Sequence, residues 1–443
     1  MNPAKSYDLV IIGSGPGGYV AALYASRQNL SVCVIEKDSL GGTCLNRGCI
    51  PTKALLHSAS LATKIRGCKD FGMSVDGLKI DFPAVAARKD TIVARLKTGI
   101  ETLFKAGRID LIKGAARFIS ADTVTVAGEN IHGRNFVIAS GSVPAALPGI
   151  TIDEKRICSS DGILALTEVP RSITVVGGGV IGCEFASLFN ALGSKVSIVE
   201  LLDRILATQS KEVSKKTEVI LKKRGISVST STRFDLAAAT DSDKILVSVG
   251  RRPNTEGLGL DAIGVGLEKG RVAVDSNLRT KVKNIYAIGD CVSGPQLAHK
   301  ASYDGMLAVD NILGGQRAVD YSNIPNCVWT DPEIASVGMT EEEARAAHPD
   351  SKVAKFPYIA SGKAYIMGKP EGFIKLIGDA AGRILGVEIF GEEACDLIGE
   401  AALAREKGVT IKELSRVVHG HPTLSEMYQE AAHIFCGTPI HSI

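Results

Sequence analysis

The chain has 443 residues, which is too long for one hydrophobic core and predicts three or four domains. Its formal charge of +3 is near balance and its basic residues are scattered, so neither nucleic acid nor an acidic membrane is indicated as a partner. The composition, 45% hydrophobic and 22% charged, is typical of a soluble globular protein without a transmembrane helix.

The first predicted element, an apolar strand, begins close to the N-terminus with no export signal before it, so we expect a cytoplasmic protein. It opens the segment YDLVIIGSGPGGYVAALYASRQNLSVCVIE at 7–36, in which a G-x-G-x-x-G turn, a helix and a second strand follow. Gly13 permits the tight turn, Gly15 lets the backbone approach a pyrophosphate, and Gly18 lets the helix pack closely on the strand. The phosphate would meet the positive end of the helix, and Glu36 would accept hydrogen bonds from a ribose.

Cys44 and Cys49 lie in the next segment, GGTCLNRGCIPTK at 41–53, and could form a structural staple, a metal site or a redox dithiol. A zinc site would need further ligands nearby in the sequence, and none is present, so we predict no metal. A thioredoxin-like motif would have two residues between the cysteines instead of four. The two sulfurs can bond only if the chain around Gly48 departs from a regular helix, which glycine permits. The position just after the first nucleotide unit favours a dithiol beside the bound nucleotide.

A second segment, SITVVGGGVIGCEFASLFNALGSKVSIVE at 172–200, repeats the plan of the first, with the same eighteen positions from the third glycine to the final glutamate. A carboxylate at Glu200 would bind a ribose and repel the 2′-phosphate of NADP, so we expect NAD here. The one residue that argues for NADP is Arg204, four residues later, because its side chain could reach that phosphate. Two dinucleotide sites imply two different electron carriers, of which one should be a flavin. The roles of the three motif glycines would pass to Gly177, Gly179 and Gly182.

The other cysteines are interpreted as small buried hydrophobic residues. Ten cysteines spread through a long chain do not suggest a disulfide framework in a reducing compartment. Most lie in apolar runs, such as SVCVIE around Cys33 and VIGCEF around Cys183, where a free cysteine packs like a small hydrophobic side chain.

Two further patterns follow in the second half of the chain. The apolar strand in KVKNIYAIGDC ends in Gly289 and Asp290, where an acidic side chain could hold a polyol. From about residue 321 the pattern changes to alternating strands and then helices, which indicates a separate α+β domain.

His419, His421 and Glu426 lie at the start of a predicted helix near the C-terminus, in VVHGHPTLSEMYQEAA. One interpretation is a capped helix start with exposed polar groups beside Pro422. The other is catalytic, because a thiol with a pKa of about 8.5 needs a base at neutral pH, and a histidine with a pKa of about 6.5 can serve. A carboxylate would orient the ring and raise the pKa of the histidine, so His421 and Glu426 would form a base dyad.

Taken together, these motifs resemble the flavin disulfide reductase family, and within it the dihydrolipoamide dehydrogenases. The resemblance runs through nearly the whole chain in the expected order, and the cysteine segment with HGHPTLSE is its most specific part. Glutathione-type relatives look like VNVGCVPKK where this chain has LNRGCIPTK, and mercuric reductases have a C-terminal cysteine pair where this chain has only Cys436.

The resemblance implies an α/β fold with two Rossmann-like dinucleotide-binding domains, for FAD and for NAD, and a C-terminal α+β dimerisation domain. The FAD-binding domain would span 1–150 and be completed by about 261–323. The NAD-binding domain would span 151–260, and the C-terminal interface domain 324–443.

It also implies roles for individual residues. Cys44 would exchange with the dithiol substrate, while Cys49 would face the flavin. Lys53 would lie near flavin N5 with Glu184 as its carboxylate partner, which the apolar neighbours of Glu184 suggest is buried. Asp290 would hold the ribityl chain. Further cofactor contacts are implied at Thr43, Gly114, Ser140, Gly141, Gly250 and Ala298.

The implied enzyme is a homodimer in which His421 and Glu426 come from the partner subunit. It would oxidise a protein-bound dihydrolipoyl group through a Cys44–Cys49 disulfide and FAD and reduce NAD to NADH. The lipoyl-bearing subunit of a 2-oxoacid dehydrogenase or glycine cleavage complex would be its partner. One alternative is another NAD(P)H-dependent flavin disulfide reductase with a small-molecule disulfide substrate. The other is a component of a complex with impaired turnover.

One departure from the family is large. Only about ten residues, DLAAATDSDK, stand near 234–244, where family members are about twenty or more residues longer and have a β-meander over the NAD domain. Such a deletion could expose an edge strand. We expect the NAD domain to remain folded but to be the least stable part of the protein.

Overall fold

The computed structural model describes residues 5–441, and the first part of the chain forms a sheet with helices packed on it. Strands β3, β2, β1 and β6 pair in parallel in that order, and β5 and β4 continue the sheet in antiparallel pairs. Strand β2 is buried along its whole length, as parallel strands covered on both faces require. The elements are β1 (Lys5–Ile12), α1 (Pro16–Arg27), β2 (Val32–Glu36), α2 (Gly42–Arg47), α3 (Cys49–Arg66), α4 (Phe82–Ala106), β3 (Asp110–Lys113), β4 (Ala116–Ser120), β5 (Thr123–Val126), β6 (Glu129–Ile138) and β7 (Ser142–Pro144).

The second part repeats this arrangement with an all-parallel sheet in the order β11-β10-β9-β12-β8. The short strand β13 leaves this sheet and pairs with β7, which connects the two parts. The elements are β8 (Ile157–Cys158), α5 (Ser160–Leu164), β9 (Ser172–Val176), α6 (Val180–Leu192), β10 (Lys195–Val199), α7 (Lys211–Lys223), β11 (Ser227–Ser229), β12 (Lys244–Val247) and β13 (Arg251–Pro253).

The predicted duplication of the nucleotide unit is visible at the two glycine turns. Gly13 has φ +103° and Gly177 has φ +105°, a conformation that side chains other than glycine rarely adopt. A Cβ atom at Gly18 would lie 2.0 Å from the carbonyl oxygen of Gly13, and one at Gly182 would lie 2.0 Å from that of Gly177. Only glycine therefore lets each helix approach its strand this closely.

The shortened segment between β11 and β12 packs on a small part of the second sheet. It contains a single 3-10 turn at Leu236–Ala239, which Asp235 caps by accepting a hydrogen bond from the Ala237 N–H. Phe234 and Leu236 pack on a small buried cluster that includes Ile245. The edge strands of this sheet are only three and two residues long, so little unpaired edge is presented. The low relative stability of this part of the chain stays a prediction.

The chain then returns to the first sheet. Strand β16 pairs in parallel with β6, and helix α8 packs against α1. The structure therefore joins a late segment of the chain to the N-terminal sheet, while the domain limits at 150, 260 and 323 stay predictions. The elements are β14 (Leu267–Glu268), β15 (Arg271–Val272), β16 (Ile285–Ala287) and α8 (Ala298–Ile312).

The last part is an antiparallel sheet in the order β17-β18-β21-β20-β19, with helices α11 and α13 packed on it. A separate hydrophobic core between this sheet and those helices confirms the predicted α+β pattern. Across residues 5–441, no helix has the length and apolar character needed to cross a membrane. The elements are β17 (Asn326–Val328), β18 (Glu333–Gly338), α9 (Glu341–Ala347), β19 (Lys352–Pro357), α10 (Gly362–Ile366), β20 (Phe373–Gly378), β21 (Ile384–Gly391), α11 (Ala394–Glu406), α12 (Ile411–Leu414) and α13 (Glu426–Phe435).

Candidate active site

The two cysteines of the GGTCLNRGCIPTK segment meet at a break between helices. Helix α2 ends at Arg47, α3 begins at Cys49, and Gly48 between them has φ −144° and ψ −115°. The chain folds back on itself at this non-helical residue, since a Cβ atom at Gly48 would lie 3.2 Å from the Cα of Cys44. Cys44 and Cys49 are close enough for each to shift the pKa of the other. The prediction that the chain departs from regular helix around Gly48 is confirmed, and both cysteines are present as thiols.

The pKa values of the two thiols are shifted in opposite directions. The hydrogen bond from Cys44 lowers the pKa of Cys49 to about 7, and the charge of Lys53 acts in the same direction. The same hydrogen bond, together with burial, raises the pKa of Cys44 far above its usual value. At neutral pH the negative charge therefore resides on Cys49, and Cys44 keeps its proton.

Lys53 and Glu184 form an ion pair near Cys49, in which Glu184 is buried and Lys53 is partly exposed. The Nζ atom of Lys53 donates to both carboxylate oxygens of Glu184 at 2.9 and 2.7 Å. Glu184 is 3% exposed on α6, which confirms the burial expected from its neighbours. The backbone N–H of Trp329 donates to Glu184 at 3.0 Å, and the Trp329 ring lies 4.3 Å from Lys53 Nζ. The sequence analysis did not identify Trp329, which comes from a distant part of the chain.

The first glycine turn offers an open site for a pyrophosphate. No side chain caps helix α1 at Gly15, so the N–H groups of its first turn lack side-chain partners. A Cβ atom at Gly15 would meet no atom within 4 Å, which leaves space over the helix N-terminus. Glu36 is fixed beside it by the N–H and hydroxyl of Ser14, at 2.9 and 2.7 Å from Oε2. These residues fit the diphosphate and ribose of a dinucleotide.

The second turn has the same features. Helix α6 begins at Gly179 with no side-chain cap, and a Cβ atom there would also meet open space. Glu200 accepts hydrogen bonds from the N–H groups of Gly178 and Leu202 at 2.5 and 2.7 Å. Arg204 instead donates to the Ala207 carbonyl at 3.1 Å. Arg204, the residue that argued for NADP, also forms an ion pair with its neighbour Asp203 at 3.4 Å.

Asp290 lies just beyond the C-terminal end of β16, where the sequence placed it. Its Oδ2 accepts a hydrogen bond from the Ser142 hydroxyl at 2.6 Å, and Arg251 donates to Ser142 at 2.7 Å. The remaining predicted contacts lie beside strand ends or at helix starts of the same two units, with Gly114, Gly141 and Gly250 at positive φ. They are Thr43, Gly114, Ser140, Gly141, Gly250 and Ala298.

A buried ion pair that the sequence analysis did not identify fixes the backbone before Asp290. Lys300 and Asp304, one turn apart on α8, are 0% exposed and 2.8 Å apart. The Gly289 N–H donates to Asp304 at 2.9 Å, and Lys300 donates to the Gly289 carbonyl at 3.0 Å. The Tyr321 hydroxyl also donates to Asp304 at 3.0 Å.

The two histidines near the C-terminus have different environments. His419 is nearly buried, with its side chain 6% exposed and hydrogen-bonded to Glu400 at 2.8 Å. The side chain of His421 is 82% exposed, and its Nδ1 lies 2.9 Å from Glu426 Oε1. Burial raises the pKa of Glu426, but the Thr423 N–H and His421 lower it more. The predicted dyad is therefore formed, on the surface of its own subunit.

Comparison with known proteins agrees with this geometry. The sequence profile for pyridine nucleotide-disulphide oxidoreductases matches residues 7–305, and the profile for the dimerisation domain of the same proteins matches 324–432. The chain is 41% identical to the dihydrolipoyl dehydrogenase of Chlamydia muridarum, over 99% of this chain and 98% of the relative. It is 40% identical to the dihydrolipoyl dehydrogenase of Bacillus subtilis, over 99% of this chain and the whole relative.

The fold is similar to a solved structure, LpdA from Mycobacterium tuberculosis, with a TM-score of 0.89 and 28% identity over 97% of this chain and 99% of LpdA. The Chlamydia alignment runs over 463 positions, more than the 443 residues of this chain, as a shortened segment requires. The chain thus combines two nucleotide units and a pair of thiols, within the region matched by the first profile, with a dimerisation domain after them. This chain therefore belongs to the pyridine nucleotide-disulphide oxidoreductase family.

Proposed function

We propose that this protein is a dihydrolipoyl dehydrogenase, which oxidises protein-bound dihydrolipoyl groups and reduces NAD. Members of the family are oxidoreductases that use FAD and NAD, and the match to the dimerisation domain supports a homodimer as the functional unit. The observation that carries the proposal is the Cys44–Cys49 pair, which the helix break at Gly48 places beside the Lys53–Glu184 ion pair. A lipoyl-bearing subunit of a 2-oxoacid dehydrogenase or glycine cleavage complex is the proposed partner.

In the proposed reaction, His421 of the partner subunit takes a proton from the first substrate thiol. The resulting thiolate attacks the Cys44 sulfur of the Cys44–Cys49 disulfide, and Cys49 leaves as a thiolate. The second substrate thiol then attacks the substrate sulfur bound to Cys44, which closes the lipoyl ring, and its proton passes to the released Cys44 sulfur. Glu426 orients the imidazole and stabilises its charged form. A bound FAD would supply the redox chemistry that connects Cys49 to NAD, and the glycine turn at Gly15, together with Glu36 and Asp290, would hold it.

Lys53 and Glu184 have a supporting role in this proposal. The Lys53 ammonium lowers the pKa of Cys49, so it stabilises the thiolate that donates electrons. Glu184 fixes that ammonium with two hydrogen bonds while its own position is fixed by the Trp329 N–H. The arrangement holds positive charge beside the sulfur that must be negative.

The visible spectrum of the flavoprotein tests this function. Dihydrolipoamide should reduce the wild-type protein and produce a long-wavelength thiolate band. In Cys44→Ser that band should be present without reduction and should grow as pH rises, because the thiolate of Cys49 forms above its pKa, which Lys53 still lowers. Cys49→Ser is the matched control and should lack the band. A flavin that responds to glutathione but not to dihydrolipoamide would favour the alternative, a reductase for a small-molecule disulfide.

Nucleotide preference gives a second prediction. Glu200→Gln keeps the shape of the side chain but removes the charge that binds the ribose and repels a 2′-phosphate. The ratio of kcat/KM for NAD to that for NADP should fall by about tenfold, since a hydrogen bond to a charged group is stronger than one to a neutral amide. Glu218→Gln, on the exposed side of α7, should leave the ratio unchanged. An unaltered ratio in Glu200→Gln would show that another residue selects the nucleotide.

A further inference from the structure

A second pair of cysteines lies in the C-terminal part of the chain. Cys327 is on β17, and Cys395 is in the first turn of α11, 68 positions later in the sequence. The Cys327 sulfur is 4.0 Å from the Cys395 carbonyl oxygen, and the Cys395 sulfur is 3.8 Å from the carbonyl of Val328. Each sulfur therefore lies against backbone at or next to the other cysteine, and both residues are partly exposed.

The backbone around the pair is fixed by hydrogen bonds. The Cys395 N–H donates to Glu333 on β18 at 3.0 Å, and the Cys395 sulfur lies 3.7 Å from the Ile334 carbonyl. Strand β18 pairs with β17, so Glu333 connects the start of α11 to the sheet beside Cys327. This anchoring keeps the two sulfurs adjacent on two separate elements.

The pKa values of Cys327 and Cys395 are shifted in opposite directions. The hydrogen bond from Cys395 lowers the pKa of Cys327, and Lys53 acts in the same direction, although burial and Glu333 oppose them. The same hydrogen bond, together with burial, raises the pKa of Cys395. Cys327 is therefore the better nucleophile, and Cys395 is placed to attack second.

Cys327 is close in sequence to Trp329, the residue that contacts the Lys53–Glu184 ion pair. Trp329 is two residues beyond Cys327, and it contacts both members of the Lys53–Glu184 ion pair. Forming a covalent bond between β17 and α11 would shift the segment that carries Trp329, because the two sulfurs must move to bonding distance. Because the Trp329 N–H fixes Glu184, a small displacement there would reach Lys53.

We propose that Cys327 and Cys395 form a second redox site, which a small-molecule disulfide oxidises to an intramolecular disulfide. We infer that this bond slows electron exchange with the nicotinamide by displacing Trp329 from Glu184 and Lys53. The regulatory part rests on the proposed function, whereas formation of the disulfide does not.

The exchange balances without any further reactant. The Cys327 thiolate attacks one sulfur of the incoming disulfide, which forms a mixed disulfide and releases one small-molecule thiolate. The Cys395 thiolate then attacks the Cys327 sulfur, forms the protein disulfide and releases the second thiolate. The two cysteine protons end on the two released thiols, so the protein loses two electrons and the small-molecule disulfide gains them.

Peptide mapping tests the site independently of turnover. The reduced holoenzyme would be treated with oxidised glutathione, alkylated and digested with trypsin. Cys327 and Cys395 are the sole cysteines in the tryptic peptides 318–345 and 384–405, whereas Cys44 and Cys49 fall in 38–47 and 48–53. We expect both peptide pairs to become cross-linked, and dithiothreitol to reverse both links. A cross-link in the Cys44–Cys49 pair alone would overturn the proposal.

Stopped-flow reduction of the flavin by NADH tests the regulatory part without adding a thiol. The oxidised wild type should react about tenfold more slowly than Cys395→Ala treated in the same way. Cys436→Ala, which removes an exposed cysteine outside the pair, should be slowed like the wild type. Equal rates for wild type and Cys395→Ala would overturn the regulatory part. A protein that forms the cross-link but does not oxidise dihydrolipoamide would keep the redox site and contradict the proposed function instead.

Discussion

Replacing His421 by glutamine should lower the rate of dihydrolipoamide oxidation by about two to four orders of magnitude. Glutamine preserves a polar, exposed side chain, but it cannot take a proton from the substrate thiol. The thiol has a pKa of about 8.5 and is mostly protonated at neutral pH, so without a base only a small fraction reacts. The flavin content and the rate of flavin reduction by NADH should stay near the wild-type values, because neither step uses the base.

The measurement is the pH dependence of kcat for dihydrolipoamide. In His421→Gln the rate should recover steadily as pH rises, because hydroxide replaces the missing base. His419→Gln is the matched control: its side chain is nearly buried against Glu400, so we expect reduced stability with an unaltered pH profile. A His421→Gln enzyme that keeps its rate at neutral pH would exclude this histidine as the base.

Replacing Lys300 by methionine should destabilise the protein by about 3–5 kcal/mol, because it leaves a carboxylate buried without its partner charge. Asp304 is 0% exposed and its pKa is already raised by burial, even with Lys300 at 2.8 Å. The variant also loses the hydrogen bond to the Gly289 carbonyl, which fixes the backbone before Asp290. FAD should therefore be released at a lower urea concentration than in the wild type.

Lys222→Met provides the comparison, since Lys222 forms an exposed i,i+4 pair with Glu218. Such surface pairs contribute less than about 1 kcal/mol, so its urea profile should match that of the wild type. The double variant Lys300→Met with Asp304→Leu should recover part of the loss, because it removes the unpaired charge. Full stability of Lys300→Met alone would mean that the buried pair does not hold this segment.

Local sequence patterns were sufficient for the features that depend on neighbours along the chain. The spacing of Gly13 and Gly18 predicted the turn and the close packing of helix on strand, because both follow from the backbone of one unit. Gly48 was predicted as a break in the helix for the same kind of reason. Cys183 and Phe185 predicted the burial of Glu184, since they are the apolar neighbours of that carboxylate on α6.

The features that the sequence did not reveal depend on contacts between distant segments. Trp329 meets Lys53 only because the C-terminal sheet packs against the nucleotide units. The Cys327–Cys395 contact depends on where α11 begins relative to β17, which no local spacing encodes, and apolar surroundings had favoured a purely packing role. For the shortened segment, length predicted a reduced cover over the NAD domain, and the structure shows which residues pack there: Phe234 and Leu236 lie on the small cluster around Ile245.

The exposed position of His421 has a consequence for inheritance. In the proposed dimer each active site takes its dithiol from one subunit and its base from the other. A cell that makes two defective forms, one lacking Cys44 and the other lacking His421, would assemble mixed dimers in which one of the two sites has both intact residues. The two defective alleles would therefore complement each other, although each alone encodes an inactive enzyme.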